Sequence, residues 1–342
     1  MKMITLGSTG IVTPQNGFGA LPIQRDDAQT AVRLLNQALD SGFTFFDTAR
    51  DYTDSEEKIG LAFEGKRDRF FLATKTHAMT PEEFREQLAL SLKLLKTDYV
   101  DIYQFHCASR CYRPDDGTGL YEAMLEAKEK GQIRHIGITA HKINVAEEAA
   151  QSGLYETVQY PFSYLASPRE IELVKTCEAN NVGFIGMKGL AGGLLTNSAA
   201  CMAFVSQFDN VVPIWGIQRE SELNEWCSYF ENTPVLDEAM RAFIEADQKN
   251  FGSDFCRSCG YCAPCSVGIL INQCARMSQM IRRAPSEGWL SPKWQYEMER
   301  IENCIECGKC MSRCPYELNI PRLLRKNLED YREILAGRRD IR

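Results

Sequence analysis

Short apolar runs alternate with amphipathic segments through the first two thirds of the chain. Eight of these runs have the length of buried β-strands: residues 16–20, 43–49, 70–76, 99–106, 133–139, 157–162, 183–188 and 211–217. The segments between them repeat apolar residues at helical spacing. In the segment 26–40, one face carries Ala28, Ala31, Val32, Leu35 and Leu39. A strand followed by a helix eight times within about 230 residues predicts an α/β protein with a (β/α)8 TIM barrel, a fold that typically needs roughly 250 residues.

Local signals at the ends of the elements support this arrangement. Residues 1–14 have the pattern of a short hairpin whose turn lies at Gly7 to Gly10. Thr80 followed by Pro81 is a typical start for a helix, because threonine caps the first turn and proline fits the first helical position. We therefore expect one helix over residues 80–95.

An open, doubly wound sheet is the alternative fold for the same pattern. Such a sheet needs a glycine-rich phosphate loop after an early strand, and the run Gly17-Phe18-Gly19 does not complete the G-x-G-x-x-G pattern. The barrel is therefore the prediction for residues 1–240. Pro234 breaks the last barrel helix, a short helix 237–249 follows, and residues 241–342 are expected to form a smaller, mostly helical C-terminal domain.

The composition restricts the class of protein. The chain is 44% hydrophobic and 25% charged, as in ordinary globular proteins. Its formal net charge of −7 argues against a nucleic-acid binder. No run approaches the roughly 20 apolar residues that cross a bilayer, and the first ten residues lack the apolar segment of a signal peptide. With fourteen cysteines, these features predict a cytoplasmic protein, whose thiols stay reduced or bind metal.

Eight of the cysteines form two compact runs near the end of the sequence. The first run has the spacing C-x2-C-x2-C-x2-C, and the second has C-x2-C-x2-C-x3-C followed by proline. The second spacing is the one with which bacterial ferredoxins hold [4Fe–4S] clusters. Zinc sites usually combine two separate C-x2-C pairs, so zinc is the weaker alternative, and a disulfide framework is another. The second domain is therefore predicted to be ferredoxin-like, with two [4Fe–4S] clusters.

Each predicted cluster is expected to be bound by cysteines from both runs. In two-cluster ferredoxins the last cysteine of each run binds the cluster of the other run. One cluster would then be held by Cys256, Cys259, Cys262 and Cys314, and the other by Cys304, Cys307, Cys310 and Cys265. Cys314 is followed by Pro315, whereas Cys265 is followed by Ser266, which departs from the usual pattern.

Polar residues lie at the carboxyl ends of three predicted strands, where barrel enzymes carry their active sites. Asp47 ends the second strand, and Tyr52 follows five residues later. Lys75 lies in the otherwise apolar third strand, and His106 ends the fourth. Taken singly, each residue has a structural explanation, such as a capping aspartate or a hydrogen-bonded histidine. Together at one rim, they form a set that can donate a proton to a carbonyl group.

The stretch 1–230 resembles the aldo-keto reductase family. The resemblance rests on the N-terminal hairpin, Gly17-Phe18-Gly19, Asp47-Thr48-Ala49 leading to Tyr52 and Ser55-Glu56, Lys75, His106, and the run from Gly131 to Gly137. With the cysteine runs, the whole chain resembles the subgroup of this family that is fused to a ferredoxin-like domain. The resemblance implies an oxidoreductase that reduces a small carbonyl-type molecule, or catalyses the reverse reaction.

The family's catalytic roles transfer to Asp47, Tyr52, Lys75 and His106. Tyr52 is then the proton donor, although a free tyrosine, with a pKa of about 10, is a weak one. The ammonium group of Lys75 would make the Tyr52 phenolate easier to form. Asp47 would hold Lys75 in place, and His106 would donate a hydrogen bond to the carbonyl oxygen.

The resemblance also implies a site for NAD(P)H at the ends of the later strands. The matching positions are Thr139, Gln159, Met187, Lys188, Gly216 and Arg219. Ala140 replaces an asparagine that binds the carboxamide, and Met187 replaces an aromatic ring that stacks on the nicotinamide. Trp226 replaces an asparagine that contacts adenine. NAD(P)H is therefore an expected cofactor whose site departs from the family pattern.

Two other functions stay open at this point. In the first, the enzyme is ferredoxin-dependent, and the barrel no longer uses nicotinamide. In the second, the chain is a non-enzymatic electron-transfer module on a barrel scaffold, although the intact set from Asp47 to His106 argues against it. Ferredoxin or another electron carrier is a candidate partner. Cys107 and Cys111 follow His106 on a loop, where burial as structural thiols is the default and contact with substrate is the alternative.

Overall fold

The computed structural model describes residues 1–193, 195–251, 256, 260, 262–283, 286–314 and 316–341. The chain separates into two compact units, Met1–Met240 and Arg241–Arg342. None of the helices in the described residues has both the length and the apolar character needed to cross a membrane.

The first unit is a closed barrel of eight parallel strands, preceded by a hairpin. The hairpin pairs β1 (Met3–Thr5) with β2 (Val12–Pro14) in antiparallel register. The barrel strands are β3 (Gly17–Gly19), β4 (Phe45–Asp47), β5 (Phe71–Thr76), β6 (Val100–Phe105), β7 (Ile133–Thr139), β8 (Thr157–Pro161), β9 (Gly183–Met187) and β10 (Val211–Gly216). Each strand pairs with the next in chain order, and β10 closes the barrel on β3. The predicted barrel is confirmed, and each predicted strand is present.

One α-helix follows each barrel strand. These helices are α1 (Ala28–Asp40), α2 (Ser55–Phe63), α3 (Pro81–Leu95), α4 (Leu120–Glu129), α5 (Ile143–Gln151), α6 (Pro168–Ala179), α7 (Ser198–Val205) and α8 (Glu220–Glu231). Helix α3 begins as predicted, because the Thr80 side chain accepts a hydrogen bond from Glu83 N. The buried face of α1 differs from the predicted one: Ala28 is exposed in the first turn, whereas Leu34 and Ala38 are buried.

The hairpin closes the amino-terminal end of the barrel. Its residues Ile4, Leu6 and Ile11 are buried in one apolar cluster with residues from the barrel strands. Gly7 is required at the turn, because its φ is +53° and a Cβ atom there would lie 2.2 Å from Gly183 N. With this end filled by side chains, the carboxyl ends of the strands and their loops form the end that can carry a site.

The second unit contains short helices around its own apolar core. Its helices, with the one that leads into it, are α9 (Glu238–Phe251), α10 (Ile271–Cys274), α11 (Met277–Arg283), α12 (Ser286–Trp289), α13 (Pro292–Glu299), α14 (Lys309–Ser312) and α15 (Ile320–Leu335). Helix α15 contributes Leu323, Leu324 and Leu328 to the core. Its buried Asn327 donates to Ala275 O at 3.1 Å, which ties α15 to the segment after α10. The predicted helical character of the C-terminal region is confirmed.

Candidate functional site

Asp47 and Lys75 form a buried ion pair at the carboxyl ends of two neighbouring strands. Asp47 is the last residue of β4, Lys75 is the next to last of β5, and the two strands pair in parallel. Lys75 Nζ donates to Asp47 Oδ1 at 2.5 Å and to the backbone oxygen of Thr48 at 2.6 Å. The side chains of Lys75 and Asp47 are 1% and 2% exposed. The lysine in this apolar strand therefore has the charged partner that a buried charge requires.

Two amide side chains complete the surroundings of Asp47. Gln104 Nε2 donates to Oδ2 at 3.3 Å, and Gln159 Nε2 donates to Oδ1 at 3.4 Å. Burial raises the pKa of the Asp47 carboxyl group, whereas Lys75 and the two amides oppose this rise. All three donors favour the ionised carboxylate over the neutral acid.

Tyr52 lies on the loop between β4 and α2, with its ring close to Lys75. The Lys75 Nζ atom is 5.1 Å from the centroid of the Tyr52 ring, within the range of a cation–π contact. Tyr52 N donates to Ala49 O at 3.1 Å, and Tyr52 O accepts from Ser55 N at 2.8 Å, which fixes the turn. A positive charge this close favours a phenolate over a phenol.

His106 lies directly after β6 and faces the Tyr52 ring. The two ring centroids are 5.7 Å apart, in an edge-on arrangement. Burial lowers the pKa of His106 well below its usual range, and the charge of Lys75 lowers it further. The imidazole is therefore neutral at pH 7 and carries one N–H donor. The structure brings Asp47, Tyr52, Lys75 and His106 together at one point of the rim.

Residues predicted to hold nicotinamide lie at the ends of the next strands. Gln159, in β8, has a buried Oε1 atom without a hydrogen-bond partner in the described structure. An acceptor of this kind suits the N–H of an amide, such as the carboxamide of nicotinamide. Thr139 ends β7, and its hydroxyl oxygen accepts from Cys107 N at 2.7 Å. Met187 ends β9, and Lys188 follows it with a left-handed φ of 58°. The orphaned Gln159 oxygen therefore fits the nicotinamide end of the cofactor.

The N-terminus of α8, which follows the predicted cofactor residue Arg219, already holds a carboxylate. Gln218 N and Arg219 N both donate to Glu222 Oε2, at 2.8 Å and 3.0 Å. Helix N-termini bind phosphate through backbone N–H groups of this kind, so Glu222 competes with a phosphate here. Arg219 itself is exposed, as is Gly216 at the end of β10. The sequence did not indicate that Glu222 would take these donors.

Trp226, at the position where the family contacts adenine, is part of the protein interior. It is 2% exposed and stacks on Trp215, with the ring centroids 4.0 Å apart and the planes 11° from parallel. Its ring is therefore used for packing within the barrel. Trp226 is therefore not exposed for contact with an adenine ring.

Two histidines at the rim were missed by sequence reasoning. His77 follows β5 and stacks on His106, with ring centroids 4.1 Å apart. His141 follows β7 by two residues, and its Nε2 lies 3.1 Å from Lys188 Nζ and 3.9 Å from Cys107 Sγ. A signal was available, because three of the four histidines of the chain lie at or just after the ends of consecutive predicted strands.

The two cysteines after His106 have different surroundings. Cys107 is exposed at the rim, with a left-handed φ of 50°. Cys111 is buried, and burial raises the pKa of its thiol. Cys111 is therefore in the environment of a structural thiol, whereas Cys107 is accessible.

Cysteines of both runs meet at one cavity in the second unit. Cys262, Cys265, Cys304, Cys307 and Cys310 line it. The last four are the set predicted for one cluster. Burial raises the pKa of Cys304, and the neighbouring Cys265 raises it further. Thiols that hinder each other's ionisation in this way fit a metal cluster, whose positive charge would relieve the repulsion.

The other predicted cluster set is described only in part. Cys256 and Cys314 are partly buried against the apolar core of the second unit, and Cys262 is buried within it. Cys259 lies outside the described residues. No described cysteine forms a disulfide.

Comparisons with known proteins agree with both parts of the chain. Residues 15–227 match the aldo/keto reductase family, and residues 255–319 match the 4Fe-4S dicluster domain. The chain is 31% identical over 215 residues to the aldo-keto reductase YhdN of Bacillus subtilis, a match that covers 57% of this chain and 64% of YhdN. It is 29% identical over 231 residues to the NADH-specific methylglyoxal reductase of Escherichia coli, covering 58% of this chain and 70% of that protein.

A solved structure shows the same fold. The aldo-keto reductase from Klebsiella pneumoniae, in complex with NADPH, superposes with a TM-score of 0.60 at 22% identity. The match covers 72% of this chain and 96% of that one. At this identity, the likeness shows the barrel fold alone.

Proposed function

The chain belongs to the aldo/keto reductase family and carries a 4Fe-4S dicluster domain, and from this premise we propose that it reduces a small carbonyl compound at the rim of its barrel. One observation carries the proposal: the buried Asp47–Lys75 pair lies beside the Tyr52 ring. A buried charge pair is expensive to desolvate, and here its ammonium group is next to a phenol that can transfer a proton.

The proposed reaction uses each of the four residues. When bound, a reduced nicotinamide supplies the hydride, which forms the new C–H bond at the carbonyl carbon. The carbonyl oxygen keeps the electron pair of the broken π bond and takes a proton from Tyr52. Lys75, held in place by Asp47, stabilises the phenolate that is left, and solvent returns the proton to Tyr52. His106, neutral in this environment, orients the carbonyl oxygen by a hydrogen bond.

The residues proposed to hold NAD(P)H are those at the ends of β7 to β10. Gln159 would accept from the carboxamide, with Thr139 beside it, and Met187 would pack on the nicotinamide ring. Lys188, Gly216 and Arg219 would lie along the rest of the cofactor. The name of one similar protein supports this proposal, since the matching protein of Escherichia coli is an NADH-specific reductase.

We expect NADH to bind more tightly than NADPH, because the Glu222 carboxylate occupies the backbone donors of the α8 N-terminus that could otherwise hold an extra phosphate. Glu222→Gln removes this charge and should tighten NADPH binding by roughly twofold to fivefold, the size of one charge at a helix N-terminus. Fluorescence titration with both nucleotides measures this. Glu220→Gln, in the same first turn, is the matched control. Tighter binding of NADPH than NADH by the unmodified protein would contradict the role of Glu222.

We further propose that the two clusters carry electrons singly to or from an external carrier such as a ferredoxin. The cavity lined by cysteines of both runs supports this, since paired clusters usually connect one redox site with another. Hydride transfer moves two electrons at once, whereas the clusters carry electrons singly. A flavin could connect the two processes, but the sequence contains no flavin signature. The proposal therefore concerns the exchange of electrons between the clusters and the external carrier.

A ferredoxin-dependent enzyme that does not use nicotinamide is the second candidate. The observations that favour it are the Glu222 carboxylate at the α8 N-terminus and the stacking of Trp226 on Trp215. In this case Tyr52 would still supply protons, while electrons would arrive through the clusters.

One anaerobic assay separates the two candidates. Cluster-loaded protein is mixed with a panel of small aldehydes and dicarbonyls, and either NADH, NADPH or reduced ferredoxin is the electron source. Carbonyl-dependent oxidation of a nicotinamide nucleotide is the expected result. Turnover with ferredoxin and none with either nucleotide would replace the first candidate by the second.

A further inference from the structure

Three consecutive strands of the barrel each deliver a histidine to the same part of the rim. His77 follows β5, His106 follows β6 and His141 follows β7. Because these strands are neighbours in parallel register, the residues after them must lie side by side. Cys107, directly after His106, adds a thiol to the group.

The donor atoms of this group are close enough to share a cation. One ring nitrogen of His77, one of His106 and the Sγ atom of Cys107 lie within 4.8 Å of one another. Ligand atoms lie at about 2.0–2.3 Å from a tetrahedral zinc ion, so the three donor atoms must come closer together to bind one ion. His77 and Cys107 are both exposed, so the thiol can rotate and the His77 ring can turn out of its stack on His106 to direct its nitrogen at the same ion.

The surroundings of His77 and His106 leave a nitrogen of each imidazole ring available for a metal ion. The His77 Nε2 atom lies 3.0 Å from Asp51 Oδ2, which leaves the other ring nitrogen for a further bond. A carboxylate paired with a histidine in this way is the usual companion of a metal-bound imidazole, because it fixes the tautomer and the ring orientation. His106 has a buried Nδ1 without a hydrogen-bond partner in the described structure.

The backbone at Cys107 is held in a conformation that non-glycine residues seldom adopt. Its φ is 50°, and the conformation is secured by hydrogen bonds from Cys107 N to Thr139 Oγ1 and from Ala108 N to Thr139 O, at 2.7 Å and 2.8 Å. Strained backbone that persists because its surroundings enforce it is concentrated at functional sites. Two anchors on β7 therefore fix the start of this loop, and with it the thiol, beside the histidines.

We propose that His77, His106 and Cys107 form a binding site for a single Zn²⁺ ion, with the fourth position open to water or a ligand. Imidazole and thiolate are the donors that zinc prefers, and three protein ligands with one open position are typical of accessible zinc sites. His141 is not counted as a ligand, because Lys188 Nζ lies 3.1 Å from its Nε2. The same Nε2 atom also lies 3.9 Å from the Cys107 sulfur.

Zinc at this site has a consequence that rests on the proposed function. His106 cannot at once bind Zn²⁺ and orient a substrate carbonyl through the same ring position. Zn²⁺ is therefore expected to inhibit carbonyl reduction reversibly, with activity restored by a chelator. The zinc site itself does not depend on that reaction, so it is tested by binding.

Equilibrium dialysis with radioactive Zn²⁺ tests the site in the full-length, cluster-loaded protein. The expected result is one tightly bound Zn²⁺ per chain, with affinity at least about tenfold lower in His77→Gln and in Cys107→Ser. The matched controls are His135→Gln and Cys111→Ser. His135 lies on β7 and is paired with Glu156, and Cys111 is a buried thiol on the loop that begins at Cys107. Iron is assayed before and after dialysis, because Zn²⁺ could otherwise displace iron from the cluster cysteines.

X-ray absorption of the bound zinc identifies its ligands independently of affinity. One sulfur at about 2.3 Å and nitrogens at about 2.0–2.1 Å support the site, whereas a shell of four sulfurs would place the zinc in the cluster domain and overturn it. Equal Zn²⁺ affinity in the unmodified protein, His77→Gln and Cys107→Ser would also overturn it, as would no bound zinc in protein that retains its iron. A failure of carbonyl reduction alone would leave these binding results unchanged and would count against the proposed function only.

Discussion

Replacing Tyr52 by phenylalanine is expected to lower kcat for carbonyl reduction by about 10²–10⁴-fold, the usual contribution of a positioned general acid. The substitution removes only the phenol oxygen, so the ring keeps its place beside Lys75 and His106. Nucleotide binding and reduction of the clusters by dithionite should therefore persist. Steady-state turnover, measured anaerobically with the best carbonyl substrate, gives the result.

A second tyrosine provides the control for this substitution. Tyr99 precedes β6 at the opposite end of the strand, where its ring packs against Arg67 and Arg134. Tyr99→Phe should keep kcat within a few-fold of the unmodified protein. If Tyr52→Phe retained normal turnover, Tyr52 would not be the proton donor, and the proposed role of the rim would have to be abandoned.

Lys75→Met is expected to impair both stability and turnover, because it leaves the Asp47 carboxylate buried without its charged partner. Removing one member of a buried pair typically lowers the free energy of unfolding by about 3–5 kcal/mol. Turnover should fall by two orders of magnitude or more, because the Tyr52 phenolate loses the ammonium that stabilises it. Thermal unfolding and steady-state kinetics measure the two effects separately.

The double variant Asp47→Asn/Lys75→Met separates structure from chemistry. It removes the unpaired carboxylate and should recover much of the lost stability without recovering turnover. Lys58→Met is a further control, since Lys58 of helix α2 is 3% exposed and paired with Asp54, which precedes the helix. It should lower stability without a comparable loss of turnover. Recovery of turnover in the double variant would show that Lys75 acts only by supporting the fold.

The barrel and the position of its site could be predicted because they depend on patterns that are local in sequence. Apolar runs of strand length, alternating with helical spacing, leave few arrangements other than eight strand–helix units. Parallel strands in chain order then place Asp47 next to Lys75, and Lys75 near His106. The identities and spacing of the cysteines likewise indicated the cluster domain, which the family comparison confirms.

Other features depend on side-chain choices that a linear pattern does not determine. The buried stripe of α1 includes Leu34 and Ala38 in place of Ala28, since the angle at which a helix meets the sheet decides which positions are covered. Glu222 could have pointed to solvent, but it turns back onto the N-terminus of its own helix. The stacking of Trp226 on Trp215 is likewise a matter of tertiary packing. The contacts of Glu222 and Trp226 are the ones that bear on which cofactor binds.

The central claim, direct hydride transfer to a carbonyl at this rim, is tested most directly with isotopically labelled nucleotide. Anaerobic, cluster-loaded protein is given NADH or NADPH carrying deuterium at C4 of the nicotinamide ring, together with a carbonyl substrate in ordinary water. The account predicts one deuterium on the carbinol carbon of the alcohol product. Oxidation of the labelled nucleotide with only solvent hydrogen in the product would contradict it, because the electrons would then have reached the substrate by another route.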